Sequence, residues 1–226
     1  MSEQKPSPQA AAFPCSRYAQ DVPGLLAVLE KLYPAAECGL HFEGDPWRLL
    51  VMAILSAQCT DKRVNQVAEA LFARFPTPQS IVDSAEGELE EYVRSCGLYR
   101  MKAKNIRAAC EMLCRDYGGA VPSGMDDLLR LPGVGRKIAN LMLGDVFDQP
   151  AIVTDTHCIR LSGRFGFTPG VTDPLKVERA LSAVIPQAEQ AAFCHRLVRL
   201  GRDFCTARAP KCDVCPLRGS YVGDAS

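Results

Sequence analysis

The stretch Leu131-Pro-Gly-Val-Gly-Arg-Lys-Ile-Ala-Asn140 narrows the choice of fold more than any other part of this chain. It reads as a short turn that opens a helix. Gly133 and Gly135 supply backbone freedom and let another molecule approach the main chain closely. The amides of Val134 to Lys137 begin the helix, so no helical carbonyl is available to them. Unpaired amides at the positive end of a helix dipole form an anion site. Leu131, Ile138 and Leu141 are the residues that seat the turn on a core.

The rest of the chain supports a fold made only of helices. Helix signals recur: Asp21 ahead of an apolar series to Tyr33, Pro46 ahead of the almost wholly apolar Trp47–Leu55, and Asn65–Phe75 before Pro76. Further helices are expected within Ser80–Arg94, over Ile106–Tyr117, from Ser123 into the turn, and over Thr156–Phe165. The last two run from the Thr172-Asp173-Pro174 cap to Val184 and from Glu189 to Asp203. No strand pairs, hairpin turns or solenoid repeats are evident, and the apolar run at 151–153 is too short to carry a sheet. With 47% hydrophobic residues in 226, there is material for a substantial core. A formal net charge of zero excludes a protein held on DNA by a blanket of positive charge, and leaves room for a local basic face. No N-terminal signal stretch and no apolar run of bilayer length is present, so a cytoplasmic protein with no membrane partner is expected. Most of the 11 cysteines then read as reduced, buried thiols. Residues 1–15 read as a disordered tail without chemistry.

Two loops carry residues with both a structural and a functional reading. In Ser56-Ala-Gln-Cys-Thr-Asp61, a core helix ends and Asp61 is placed to cap the next one; Gln58 sits at the loop tip. In Cys96-Gly-Leu-Tyr-Arg, Gly97 suits a helix end and leaves Leu98 at another tip, followed by Arg100, Lys102, Lys104 and Arg107. Leu98 either tucks into the core or serves as a wedge that unstacks a base step, with the cations on flanking phosphates.

Lys137 closes the glycine turn, and Asp155 follows in Val153-Thr-Asp-Thr-His157. Alone, the Lys reads as a solvated charge and the Asp as a helix N-cap. Together, LPGVGRK and VTDTH at this separation closely resemble the endonuclease III family of helix-hairpin-helix DNA glycosylases. The resemblance extends to LSAQ-TD around Gln58 and GLY…KA.NI around Leu98. It implies an all-α, two-lobed fold. One lobe is a six-helix barrel over 39–149; the other comprises 16–38 with 150–226; a cleft between them holds Lys137 and Asp155. It also implies a bifunctional glycosylase and AP lyase of base excision repair, acting as a monomer on duplex DNA that contains damaged bases or abasic sites. Lys137 takes the nucleophile position and Asp155 that of the catalytic carboxylate. Gln58 and Leu98 fill the gap left by the flipped base. Gly133, Val134, Gly135 and Arg136 bind backbone phosphate, a contact that positions DNA without reading sequence. His157 is expected to be structural, near Asp155. A glycosylase of another base specificity and a non-catalytic DNA-binding module are the alternative readings; having both Lys137 and Asp155 argues against the second.

Cys205, Cys212 and Cys215 are spaced as a metal site. The family carries a fourth cysteine here and a [4Fe–4S] cluster, whereas this chain has Tyr221 at that position and no later cysteine. Cys194 and His195 lie too far back along one helix to substitute. The open choices are a cluster whose fourth iron takes Tyr221, Asp224 or water, a zinc site, or no metal. The cluster is preferred because three ligands and their loop are retained. Its role would be structural: closing the loop at Thr206–Val214 and presenting Arg208 and Lys211 toward DNA.

Overall fold

The computed structural model describes residues 13–218, so the last three residues of the expected tail are placed, while Tyr221 and Asp224 lie outside the described residues. Among the described residues the regular structure is entirely helical. The α-helices are α1 (Val22–Leu32), α2 (Pro46–Leu55), α3 (Asp61–Arg74), α4 (Pro78–Val82), α5 (Glu88–Val93), α6 (Tyr99–Tyr117), α7 (Met125–Arg130), α8 (Arg136–Asp145), α9 (Thr156–Arg164), α10 (Pro174–Val184) and α11 (Gln190–Asp203).

The chain divides into two compact units. One comprises 37–153 and 186–195; the other comprises 1–36, 154–185 and 196–226. The division differs from the sequence reading at 37–38, 150–153 and 186–195, all of which join the helical unit. Side-chain bonds explain the last two. The buried Asn140 amide donates to the Ile152 carbonyl at 2.9 Å, fastening 150–153 to α8. The Val153 amide donates to Cys194 Sγ at 3.2 Å, and His195 Nε2 bonds Asp145 Oδ1 at 2.6 Å. Cys194 and His195, unsuited to the metal site by distance along the chain, are thus engaged elsewhere.

In the first unit α2 is the core. Asp45 caps it through the Trp47 amide at 2.9 Å, Pro46 starts it, and every residue from Leu49 to Leu55 is buried. A helix apolar on all sides must be enclosed on all sides. It packs against α3, α6 and α8. Helix α3 begins four residues before its expected start, because Thr60 and not Asp61 is the cap, accepting from the Arg63 amide at 3.3 Å. Helix α6 begins at Tyr99, seven residues before its expected start, directly behind Leu98.

In the second unit the N-terminal segment lies against the end of α9. The Ala19 amide donates to the Phe165 carbonyl at 3.0 Å, and Tyr18 meets the Phe165 ring edge-on at 6.2 Å between centroids. Gly166, at φ +89°, allows this approach: a Cβ there would fall 2.4 Å from the Ser16 carbonyl oxygen. Asp173 caps α10 through the Lys176 amide at 2.8 Å with Pro174 in the first turn, as its sequence indicates.

Gly166→Ala combines a positive φ with a backbone clash, so it is expected to cost more than about 1 kcal/mol. Denaturant unfolding compared with wild type measures this; an unchanged midpoint would show that the N-terminal segment is not held here.

Candidate active site

The glycine turn is built as its sequence suggests, with one change in its donors. Gly133 adopts φ +83°, and a Cβ there would sit 2.9 Å from Asn105 Cβ, so the turn lies directly on α6. Asn105 was not singled out by the sequence reading; no local pattern pairs it with a turn 28 residues on. Leu131 and Val134 are buried, and Ile138 and Leu141 pack against the core. The Val134 amide, however, donates to the Leu131 carbonyl at 3.1 Å and closes the turn. The Val134 amide is thus engaged within the turn, and its side chain is buried. Gly135 is the N-cap of α8 and has no side chain to satisfy the first amides. Arg136 and Lys137 are exposed at this helix start. The hairpin itself does not bury the Lys137 amine.

Asp155 is the N-cap of α9, accepting from the Cys158 amide at 2.7 Å. Its other oxygen is not used by that cap. Lys137 and Asp155 belong to different units. His157 bonds through Nδ1 to Arg160 at 3.0 Å and packs on Gly201, where a Cβ would come within 2.2 Å of that nitrogen. The His157 ring is thus engaged with Arg160 and Gly201.

The two loop tips are neighbours. Gln58 and Leu98 are both exposed and both in the left-handed region, at φ +52° and +48°. Such backbone is strained for a residue with a Cβ and persists where the surroundings enforce it. A Cβ on Gly97 would lie 3.8 Å from the Gln58 carbonyl oxygen. Leu98 is 62% exposed, so it does not tuck into the core; Met101, one turn on, is 61% exposed and extends the apolar tip.

Two of the four cations assigned to phosphates point inward instead. Lys102 is 4% exposed, and its ammonium donates to the Leu55 carbonyl at 2.8 Å and to the Cys96 carbonyl. It ties the end of α2 to the Leu98 loop, and burial lowers its pKa. Arg107 donates to the carbonyls of Ile81 at 2.7 Å and Ala85 at 3.2 Å, and to the Ser84 hydroxyl. A signal was available: Lys102 shares an i, i+4, i+7, i+11 face with Ile106, Ala109 and Leu113. Arg100 and Lys104 remain exposed.

Cys205, Cys212 and Cys215 line one cavity, with Phe165, Leu200, Phe204 and Leu217 supplying apolar walls. Arg164 organises the loop. Its guanidinium donates to the Cys205 carbonyl at 3.3 Å, to Cys205 Sγ at 3.0 Å and to the Thr206 carbonyl at 2.8 Å. Arg160 adds a bond to the Cys205 carbonyl at 3.1 Å. Arg208 and Lys211 are exposed. Among the described residues no three such ligands converge on one point as a single ion would require.

Residues 51–187 match the family model of the HhH-GPD superfamily base excision DNA repair proteins, and residues 205–220 match the iron-sulfur binding domain of endonuclease III. The chain is 46% identical to an endonuclease III of Synechocystis sp., covering 85% of this chain and 88% of that one. It is 42% identical to an endonuclease III of Bacillus subtilis over 82% and 84% of the two chains. A solved endonuclease III, trapped as a covalent intermediate with DNA, superposes with a TM-score of 0.83 at 43% identity, covering 88% of this chain and 93% of that one.

The contrast between exposed tips and a buried ammonium is measurable. Leu98→Ala and Gln58→Ala should each leave the unfolding free energy within about 0.5 kcal/mol of wild type. Lys102→Met leaves the buried carbonyls of Leu55 and Cys96 without this donor and should cost about 1–3 kcal/mol for each that finds no new partner. Urea titrations of the three variants decide it; a large loss for Leu98→Ala would return that side chain to the core.

Proposed function

The chain belongs to the endonuclease III family, a DNA glycosylase and AP lyase of base excision repair with a [4Fe–4S] cluster, and from that premise we propose how its residues divide the work. The observation that carries the proposal is Lys137 exposed at an uncapped helix start beside a glycine turn. The turn and the first amides of α8 hold a backbone phosphate of duplex DNA, with Gly133, Gly135 and Arg136 at the contact. Lesions of the oxidised-pyrimidine class and abasic sites are the substrates, met as a monomer in the cytoplasm on nucleoid DNA.

A base must leave the stack before its sugar can be reached. Leu98, with Met101 behind it, enters the stack, and Gln58 takes the vacated place. Unstacking costs a few kcal/mol, and an apolar wedge offsets it. Rigid, strained tips suit that task, because they need not be ordered on binding. Arg100 and Lys104 contact flanking phosphates.

The Lys137 amine, once neutral, attacks the sugar C1′ and the C1′–N bond to the base breaks, the base leaving with the electron pair and taking up a proton. The free protein leaves this side chain exposed, so water is excluded from it only when DNA is bound. The Asp155 oxygen left unused by its cap stabilises the cationic sugar. The ring-opened sugar and Lys137 form a Schiff base. Loss of the C2′ proton then expels the 3′ phosphate by β-elimination.

Lys137→Gln should keep fold and DNA affinity, because the turn's backbone is unchanged, and lose strand cleavage and borohydride trapping together. A folded variant that still trapped at the wild-type rate would place the nucleophile elsewhere. Asp155→Asn should impair base removal while sparing the fold, because Asn caps as well as Asp; Asp155→Ala should add about 1 kcal/mol of destabilisation.

Leu98→Ala and Gln58→Ala are expected to slow single-turnover base removal on duplex DNA. Both should act little on a lesion already in single strand, where nothing is to be unstacked. Equal losses on both substrates would remove the wedge assignment.

A further inference from the structure

We propose that Cys15, from the N-terminal segment, is the fourth protein ligand of the [4Fe–4S] cluster, replacing the cysteine that this chain lacks at Tyr221. The proposal rests on the cluster reading above.

Cys15 lines the same cavity as Cys205, Cys212 and Cys215, together with its neighbours Phe13 and Pro14. The groups whose charges act on its thiol, besides its own backbone, are those same three cysteines. A short N-terminal segment reaches this place because it is held there at several points. The Ser16 amide bonds the Phe13 carbonyl at 2.9 Å, and the Phe13 ring lies 4.6 Å from the Arg164 guanidinium carbon. Cys15 Sγ lies 3.5 Å from the Arg164 carbonyl oxygen. Arg164 therefore meets the segment twice, with its guanidinium over the Phe13 ring and its backbone carbonyl at Cys15 Sγ, and the same guanidinium donates to Cys205 Sγ. One residue anchors two of the four thiols.

The donor set is right for iron. A [4Fe–4S] cluster takes four thiolates, and three come from the C-terminal loop. The remaining thiol is part-buried against apolar walls, where a water ligand would be disfavoured. On binding, the Cys15 thiol gives up its proton to solvent and its sulfur bonds the fourth iron. It loses only its bond to the Arg164 carbonyl, and a thiol is a weak donor. No oxidant or reductant is needed, since ligation leaves the irons' charges unchanged.

The test uses full-length protein purified without oxygen: wild type, Cys15→Ser, Tyr221→Phe, and Cys114→Ser as a control for thiol number. Iron and sulfide content is measured, and EPR spectra are recorded after brief exposure to air. Wild type, Tyr221→Phe and Cys114→Ser should hold about four irons per chain, while Cys15→Ser should fall to about three or fewer and show a three-iron signal or a bleached cluster. A Cys15→Ser protein with wild-type iron and no such signal overturns the assignment, as does a three-iron species in Tyr221→Phe alone. Should Cys15→Ser fail to fold, iron anomalous density in crystals of the wild type decides. Iron bonded to Cys15 Sγ supports the proposal, and a fourth iron held by oxygen refutes it. Wild-type protein without iron would refute the cluster reading and this proposal together, which separates that failure from a wrong ligand.

Discussion

The burial of α2 is the constraint on which the helical unit depends. Every residue from Leu49 to Leu55 is removed from water, so the helix needs neighbours on all sides. Its neighbours α3, α6 and α8 carry or directly follow the residues proposed to act on DNA. Gln58 lies in the connection from α2 to α3, Leu98 immediately before α6, and Lys137 in the first turn of α8. A single hydrophobic requirement thus sets the places of three proposed functional groups that share no local sequence. Burying a Leu or Ile side chain contributes about 1.5–3 kcal/mol, enough for the group of them to override the modest strain at the loop tips.

That strain is distributed in an instructive way. Gln58 and Leu98 hold left-handed backbone while exposing their side chains, and the buried Lys102 ammonium bridges the segments that lead to them. A charge in such a place is costly unless its hydrogen bonds are met, and here two helix-end or loop carbonyls meet it. The carbonyl end of a helix is also where a cation is electrostatically favoured. The ammonium therefore acts as a fastener for the two tips, while Leu98 and Met101 stay exposed.

In the other unit the organising residue is Arg164. Its guanidinium binds the Cys205–Ala207 backbone and the Cys205 sulfur, and it faces Phe13. Cationic donors beside cluster sulfurs compensate charge and shift the reduction potential. The same residue that shapes the cysteine loop thereby shapes its electrostatics, and it does so while drawing the N-terminal segment to the cavity.

Several elements could be read directly from the chain because their causes are local. The glycine turn needs only its own residues, α2 announces itself by continuous apolarity, and α10 by Asp173 and Pro174. The three C-terminal cysteines are recognisable by spacing alone. Other features depended on partners distant in sequence. Lys102 and Arg107 looked like surface cations in a basic run, and only the carbonyls of Leu55 and Ile81 turned them inward. Helix α6 extended back to Tyr99, directly behind Leu98 in left-handed backbone, and the buried Lys102 in its first turn is tied to the Leu55 and Cys96 carbonyls. Cys15 fell in a stretch whose composition signalled only disorder, and its neighbour Arg164 is 149 residues away. By itself the sequence determined most helices, the turn and the spacing of the three C-terminal cysteines, because periodicity, caps and spacing act within a few residues. Tertiary structure alone decided which cations are buried and which thiols meet, because burial and convergence are properties of surfaces brought together only when the chain has folded.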